Sequence, residues 1–195
     1  MKTYIIKSDK DLKQFEDDYG YHITGNAEFE YSADVEKRLL VDGYIKAGES
    51  IKAGWYIEAD GYIEAGWSIE AGWYIKAGGS IEADGYIEAG WSIKAGEYIK
   101  AGEYIEAGGS IKAQYMIRAD FQIEAKREIT ITDNNHKIFA GLRNKEKSYI
   151  KCSKLNAIIG YGELELIEKE QEMIDIDGKK WSKDTIKEAL KQHAI

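Results

Sequence analysis

The chain has 195 residues, a formal net charge of −8 and an apolar content of 44%, which suits one domain with a core of ordinary size. The acidic balance disfavours nonspecific binding to nucleic acid or to an anionic membrane. Cys152 is the only cysteine, which excludes an internal disulfide, and the charged start Met1–Lys10 and the lack of a long apolar run lead us to expect a cytoplasmic protein with neither signal peptide nor membrane span.

The N-terminal residues predict a short strand followed by a helix. Residues 2–7 are rich in Tyr and Ile, which favours a strand. Ser8 is a candidate helix N-cap, and Leu12 and Phe15 are the apolar residues of the helix that would follow. We expect residues 1–20 to cap the structure that comes next.

From residue 44 to residue 128 the chain is a near-perfect repeat of six residues. Each hexad begins Ile, Lys or Glu (once Arg), Ala, and the residue after Ala is nearly always Gly or Asp. Ile and Ala lie two residues apart, so on a strand they point to one side and the charged residue between them points to the other. Gly and Asp adopt positive φ more readily than most residues, so we predict a turn there.

The register of the repeat continues in both directions beyond its strict part. Counting in sixes reaches Tyr21/Ile23 on one side and Ile129/Ile131 on the other. We therefore predict a repetitive domain over 21–132, with roughly six coils and a length of about 30 Å at about 4.8 Å per strand.

Two architectures satisfy this pattern. In a triangular parallel β-helix, three hexads make one coil of 18 residues and each strand pairs with the strand one coil away, so that Ile and Ala fill the interior. In an antiparallel meander, pairs such as Asp60-Gly61 and Asp84-Gly85 would be hairpin turns. The meander would need a cover for its Ile/Ala face that the rest of the chain is too short to supply, so we favour the β-helix, an all-β solenoid with small α/β caps.

The hexads resemble those of the hexapeptide-repeat family of left-handed β-helices, and this resemblance implies a left-handed coil. That family usually places the large aliphatic residue just before Gly and a small residue four positions later. Here the two sizes are exchanged. The resemblance therefore supports the coil more strongly than its handedness.

Beyond residue 132 the period disappears, and 133–195 is predicted to contain strands and a helix. Three pieces have the composition of strands: Lys137–Leu142, Ser148–Cys152 and Leu164–Ile167. Met173–Ile176 leads into a turn at Asp177-Gly178, and Ser182 is a candidate N-cap for a helix over Lys183–His193. Because a free strand edge promotes polymerisation, we expect this segment to cap the last coil. It is also the candidate interaction module and dimer contact.

Signals for catalysis are absent from the sequence. The acyltransferases built on hexapeptide coils use a histidine, but the three histidines of this chain, His22, His136 and His193, lie outside the strict repeat. No Cys/His spacing suggests zinc, and no glycine-rich loop carries a Walker lysine. We therefore expect a protein that is not an enzyme and that uses no metal or cofactor.

Folding the repeat at 18 residues per coil sorts the exposed residues into columns. One face carries Lys52 and then the acidic column, which consists of Glu70, Glu88, Glu106 and Glu124. The corner after this face carries the Trp edge, which consists of Trp55, Trp73 and Trp91, and Tyr56 and Tyr74 begin the adjoining face. A second column is mainly basic, with Glu58, Lys76, Lys94 and Lys112, and a third is mixed, with Lys46, Glu64, Glu82, Lys100 and Arg118.

We interpret the acidic column, the Trp edge and the two tyrosines as a surface that binds a protein partner with a basic surface. Like charges directly opposite each other are normally avoided in sheets, so a line of four needs a reason. Trp and Tyr are the usual anchors of interfaces. The alternative is that the tryptophans stack on one another and the acids are a solvated face.

The Ile-Lys/Glu-Ala-Gly hexads and the tail over Ile176–Leu190 resemble small proteins of bacteriophages and mobile elements of low-GC bacteria. Some phage proteins of this size inhibit host defence, including the anti-CRISPR proteins. The resemblance implies a small cytoplasmic inhibitor, a DNA mimic that occupies the basic nucleic-acid channel of a CRISPR–Cas effector, and it assigns no functional residue. The alternative class is a structural or assembly protein, such as a rod-like virion or spacer component, whose ends make the contacts.

Overall fold

The computed structural model describes residues 1–133, 135–141, 149–167, 173–176 and 179–182. The chain forms a parallel β-solenoid of about eight turns of about 18 residues, with three sheets as the sides of a triangle. The predicted triangular β-helix is confirmed. The antiparallel meander is wrong, because neighbouring strands of the repeat run parallel in all three sheets. The handedness stays a prediction.

Within the repeat, each sheet takes one strand from every coil, and at the N-terminus Glu16–Asp17 pairs in antiparallel fashion with Gly20–Ile23. Sheet 1 contains Thr3–Ile6, Asn26–Phe29, Ile45–Ala47, Ile63–Ala65, Ile81–Ala83, Tyr98–Ala101, Met116–Ala119, Lys137–Ala140 and Ile158–Tyr161. Sheet 2 contains Ala33–Val35, Ile51–Ala53, Ile69–Ala71, Ile87–Ala89, Ile105–Ala107, Ile123–Ala125, Tyr149–Cys152 and Glu163–Leu166. Sheet 3 contains Glu16–Asp17, Gly20–Ile23, Arg38–Val41, Tyr56–Ala59, Tyr74–Ala77, Ser92–Ala95, Ile111–Ala113, Glu128–Ile131 and Lys154–Asn156.

The N-terminal strand and helix form where the sequence predicts them. Ser8 accepts a hydrogen bond from an N–H of the first turn and caps the helix Asp9–Leu12, which a 3-10 turn over Lys13–Phe15 follows. Leu12 is 1% exposed and belongs to the core. Thr3–Ile6 is the first strand of sheet 1. That this segment acts as a cap stays a prediction.

The interior is filled by isoleucines and alanines that stack on their own kind from coil to coil. Ile63 pairs with Ile81, and Ala65 pairs with Ala83 one coil later. Every isoleucine of the strict repeat is 0% exposed. Burying one such side chain stabilises a fold by about 1.5–3 kcal/mol, so the apolar interior drives the stacking of the coils.

At several corners the glycine after Ala allows a close approach of neighbouring coils. A Cβ added at Gly72 would lie 2.0 Å from the carbonyl oxygen of Gly54, one coil earlier. In the described part of the chain, the glycines with positive φ are Gly20, Gly141 and Gly162, all outside the strict repeat. The chain turns at the predicted positions, but the reason inferred from the sequence, a positive φ at these glycines, is wrong.

The three sheets end later than the predicted limit at residue 132. Ile123 pairs with Ile150, and Ile150 pairs with Leu164, so irregular spacing still brings apolar residues to the interior. Two strands that the sequence did not predict, Lys154–Asn156 and Ile158–Tyr161, contribute to the last coil. Added residues between strands change the period without changing which side of each strand faces inward.

Two further strands follow the last coil. Met173–Ile176 and Lys179–Ser182 pair in antiparallel fashion. The predicted turn at Asp177-Gly178 and the predicted helix over Lys183–His193 lie outside the described residues. The role of 133–195 as a cap or an interaction module stays a prediction.

Replacing Gly72 with Ala should destabilise the protein by about 1–3 kcal/mol, because the added Cβ would meet the Gly54 carbonyl. Gly48→Ala is the matched control, since Gly48 holds the same hexad position and a Cβ there would have no neighbour within 4 Å. Thermal unfolding followed by circular dichroism compares the variants. Equal melting temperatures would contradict the importance of the corner approach.

Candidate binding surface

The acidic column lies on the outer side of sheet 2, with its residues in register. The backbone pairing places four carboxylates on consecutive strands, those of Glu70, Glu88, Glu106 and Glu124. Lys52 precedes them on the neighbouring strand, and Lys151 follows them. The predicted alignment of Lys52 with the four acids is confirmed.

The acidic column is paired with Lys52 at its first residue, and its last residue, Glu124, stands in register with Lys151, whose pKa the charge of Glu124 raises. Glu70 lies 3.3 Å from Nζ of Lys52 and accepts a hydrogen bond from the hydroxyl of Tyr86. Among the described residues, no cation lies within 4 Å of the carboxylates of Glu88, Glu106 or Glu124. Burial, helped by the charges of Glu124 and Glu88, raises the pKa of Glu106. The middle of sheet 2, at Glu88 and Glu106, therefore presents negative charge with no described cation in direct contact.

The Trp edge forms the corner between sheets 2 and 3. The N–H of Trp73 donates to the carbonyl of Trp55, and the N–H of Trp91 donates to the carbonyl of Trp73, both at 2.6 Å. The rings of Trp55 and Trp73 are stacked, with centroids 5.6 Å apart. Trp73 is 53% exposed and Trp91 is 61% exposed. The corner therefore offers aromatic surface directly beside the acidic column.

Trp91 is not part of the stack that Trp55 and Trp73 form. Its indole lies over Gly109, where an added Cβ would come within 2.6 Å of the ring atom Cδ1. The guanidinium of Arg127 lies on the ring, with Cζ 5.8 Å from the ring centre. A glycine and an arginine of the following coils thus hold this indole.

Tyr56 and Tyr74 are tied into the protein at the start of sheet 3. Their rings are stacked, with centroids 4.6 Å apart and planes 7° from parallel. Arg38 donates to the hydroxyl of Tyr56 at 3.3 Å, and the hydroxyl of Tyr74 donates to Glu58 at 3.2 Å. Both rings are half-buried. Only part of each ring is therefore available to a partner.

The other two faces carry a different charge balance. On sheet 3, beyond the Trp edge, Lys94 and Lys112 are exposed and have no carboxylate within 4 Å among the described residues. On sheet 1 the charges neutralise each other between coils, with Lys46 2.9 Å from Glu64 and Lys100 3.2 Å from Glu82. Sheet 2 is therefore the face with unbalanced negative charge.

The histidines and the cysteine lie apart from this surface. His22 lies 2.8 Å from Asp42, and His136 lies 3.3 Å from Asp133, each as a partly exposed pair; His193 lies outside the described residues. Cys152 is buried, and burial raises the pKa of its thiol. The described residues contain no group of three or more His, Cys, Asp or Glu arranged to hold a metal ion. That the protein is not an enzyme stays a prediction.

Sequence reasoning missed a groove at the corner between sheets 1 and 2. It has a volume of about 400 Å³ and is lined by residues that include Trp67, Asp84, Tyr86 and Glu103. Trp67 is 70% exposed, more than any residue of the Trp edge. The signal was in the sequence, because folding at 18 residues places Gly85 between Trp67 and Glu103 and leaves a gap in that corner column.

The chain matches no protein-family model, no curated protein and no solved structure. None of the helices in the described part of the chain is long and apolar enough to cross a membrane. The function is therefore argued from the geometry and charge of the surface.

Glu106→Gln should raise the melting temperature at pH 7, because it removes a charge that burial and two neighbouring carboxylates disfavour. The pKa of Glu106 is raised above its ordinary 4.5 in the folded protein, so folding takes up a proton between these two values. Wild-type stability therefore gains as the pH falls through the raised pKa, and the advantage of the variant should vanish below about pH 4.5.

Melting temperatures of the wild type and the variant from pH 4 to pH 8 test this direction of the pH dependence. Glu97→Gln is the control, because Glu97 is an exposed corner carboxylate away from the acidic column. A Glu106→Gln variant that is less stable than the wild type at pH 7, or one whose advantage does not change with pH, would show that the column is not strained by like charges.

Proposed function

We propose that the protein is a non-enzymatic inhibitor of a host-defence nuclease, most specifically a CRISPR–Cas effector, and that it binds the basic surface with which the effector holds nucleic acid. One observation carries the proposal. Glu88, Glu106 and Glu124 stand in line with no described cation within 4 Å, beside the exposed indoles of Trp73 and Trp91.

The line of carboxylates supplies a charge pattern that a basic channel would recognise. Consecutive strands of a sheet are about 4.8 Å apart, so the column offers a regular series of negative charges along the rod. Burial, and after it the charges of Glu124 and Glu88, raise the pKa of Glu106, and lysines and arginines of a partner would relieve the repulsion between these carboxylates. With a net charge of −8, the protein would itself be repelled by nucleic acid, so a protein partner fits better.

The Trp edge supplies the apolar part of the contact. Charge complementarity mainly speeds association and selects the partner, whereas a few buried aromatic anchors usually provide most of the affinity. Trp73 and Trp91 are exposed enough to be buried by a partner that already lies on sheet 2. Tyr56 and Tyr74 would hold the edge in place from the side of sheet 3.

The triple variant Glu88→Gln, Glu106→Gln, Glu124→Gln should lose inhibition of DNA cleavage by a purified effector and should lose binding to a synthetic oligolysine. The matched control is Lys94→Gln with Lys112→Gln, on the opposite side of the Trp edge, which should inhibit like the wild type. Trp73→Ala should weaken binding to the effector by about 2 kcal/mol, or about 30-fold, if it is a buried anchor. Binding to either partner should also weaken as salt is added.

The reverse pattern would reject the proposal. If the lysine variant loses inhibition and the glutamine triple variant keeps it, the contact surface is the positive face. If the wild-type protein binds neither oligolysine nor any effector tested, the acidic column is only a solvated face.

The second candidate function is a structural or assembly protein whose ends make the contacts, and a different observation favours it. Leu164 and Leu166 are 41% and 56% exposed, although they pair with the buried Ile150 and Cys152 of the preceding coil. These side chains hold interior positions on the last strand of sheet 2, where another chain could cover them.

Leu164→Glu with Leu166→Glu tests this second candidate. If end contacts are the function, sedimentation of the wild type should show association that grows with concentration, and the double variant should remain monomeric. Ile5→Glu, a matched charge at an exposed isoleucine of the first strand, is the control. A wild-type protein that stays monomeric over the whole concentration range would exclude self-assembly through this end.

A further inference from the structure

The groove that sequence reasoning missed is a gap in a ladder of corner residues. The N–H of Gly85 donates to the carbonyl of Trp67 at 2.6 Å, and the N–H of Glu103 donates to the carbonyl of Gly85 at 2.9 Å. These three residues therefore occupy consecutive coils of one corner. Gly85 has no side chain, so a space remains between the indole of Trp67 and the carboxylate of Glu103. We call this space the Trp67 notch.

The walls of the Trp67 notch are held in place by neighbouring coils. Tyr86 stacks on Tyr104, with ring centroids 4.8 Å apart and planes 2° from parallel, and its hydroxyl donates to Glu70. Ser68, at the base, is 6% exposed. The notch is thus lined by a rigid phenol ring, a backbone ladder and an indole that is 70% exposed.

The side chains that line the Trp67 notch carry negative charge. Asp84 and Glu103 both line the notch and are both exposed. No cation lies within 4 Å of either carboxylate in the parts of the chain that the structure describes. An aromatic face beside two carboxylates that make no described ion pair is the environment that a cationic side chain prefers.

At the Trp edge, the same arrangement of a tryptophan and a glycine is filled by an arginine of the same chain. There, Trp91, Gly109 and Arg127 occupy consecutive coils, in the same order as Trp67, Gly85 and Glu103. The indole of Trp91 covers Gly109, and the guanidinium of Arg127 lies 5.8 Å from the ring centre. In the Trp67 notch no side-chain atom is among the three nearest to a Cβ added at Gly85, and a carboxylate stands where the arginine would be.

We propose that the Trp67 notch binds the guanidinium group of an arginine side chain presented by a basic protein partner. The group would stack on Trp67, as Arg127 stacks on Trp91, and would donate hydrogen bonds to Glu103 and Asp84. Arginine fits better than lysine because its guanidinium is planar, weakly hydrated and able to donate two parallel hydrogen bonds to one carboxylate. That the arginine belongs to a protein partner rests on the proposed function. That the notch recognises a guanidinium group does not depend on it.

The test follows the indole N–H signals of the five tryptophans by NMR during titration with N-acetyl-arginine amide. The signal of Trp67, assigned with Trp67→Phe, should shift and saturate with a dissociation constant on the order of 1 mM, the range for a ligand of this size. The signals of Trp55 and Trp73 should move much less. N-acetyl-citrulline amide, which has the same shape without the charge, should give no saturable shift.

Two matched variants locate the recognition. Glu103→Arg gives the notch its own guanidinium, in imitation of Arg127, and should abolish the response of Trp67. Glu97→Arg makes the same charge change at a corner outside the notch and should leave the response unchanged. Glu103→Gln, which keeps the shape of the side chain, should weaken binding about 10- to 150-fold, the range for a hydrogen bond to a charged group.

The outcomes separate this inference from the proposed function. An equal response to the citrulline compound, an equal response to N-acetyl-lysine amide, or a normal response of Glu103→Arg would each overturn the guanidinium site. Oligolysine binding that depends on Glu88, Glu106 and Glu124 would survive such a result. Conversely, a saturable arginine response with no oligolysine binding would leave the notch in place and reject the acidic column as the main contact.

Discussion

The structure depends on the in-register approach of each coil to the next. The N–H of Gly72 donates to the carbonyl of Ala53 at 3.0 Å, and Ile69 rests on Ile51 inside the triangle. This spacing leaves no room for a Cβ at Gly72, and it buries every isoleucine of the repeat. A chain that stacks identical units so closely must also stack its exposed residues, because each outward side chain stands directly over the one a coil earlier.

The exposed columns differ in whether the stacked side chains carry opposite charges or like charges. On sheet 1, opposite charges meet between coils, as in the pair of Lys100 with Glu82, and the hydroxyl of Tyr98 also donates to Glu82. Sheet 2 begins in the same way at Glu70 but then places three carboxylates in succession, none with a described cation within 4 Å. The departure from balance is local, lies between two corners that carry exposed tryptophans, and leaves interior packing unaffected. For these reasons we place recognition on this face.

Much of the fold and of the candidate surface could be predicted from the sequence, because three hexads make one coil. The interior residues, the acidic column and the position of the Trp edge follow from counting in sixes and eighteens. The end of the sheets could not be found in this way, since Ile123 pairs with Ile150 across added residues. The close corner approach, the tilt of Trp91 onto Gly109 and the Trp67 notch depend on atoms one coil away, and a pattern read along a single strand does not contain them.

Binding should depend on the columns of exposed side chains that the 18-residue coil creates. The most direct measurement compares oligolysine binding by two deletions that both preserve the Ile/Ala pattern. Removing residues 85–102 deletes one whole coil and leaves Glu70, Glu106 and Glu124 in line. Removing residues 85–90 deletes one hexad, so that every later strand moves to the preceding sheet of the triangle. Glu106 and Glu124 then lie on sheet 1, and Lys94 lies beside Glu70 on sheet 2. Both proteins should give the circular dichroism spectrum of the wild type. The coil deletion should bind oligolysine and the hexad deletion should not, and equal binding by the two proteins would show that the acidic column does not determine binding.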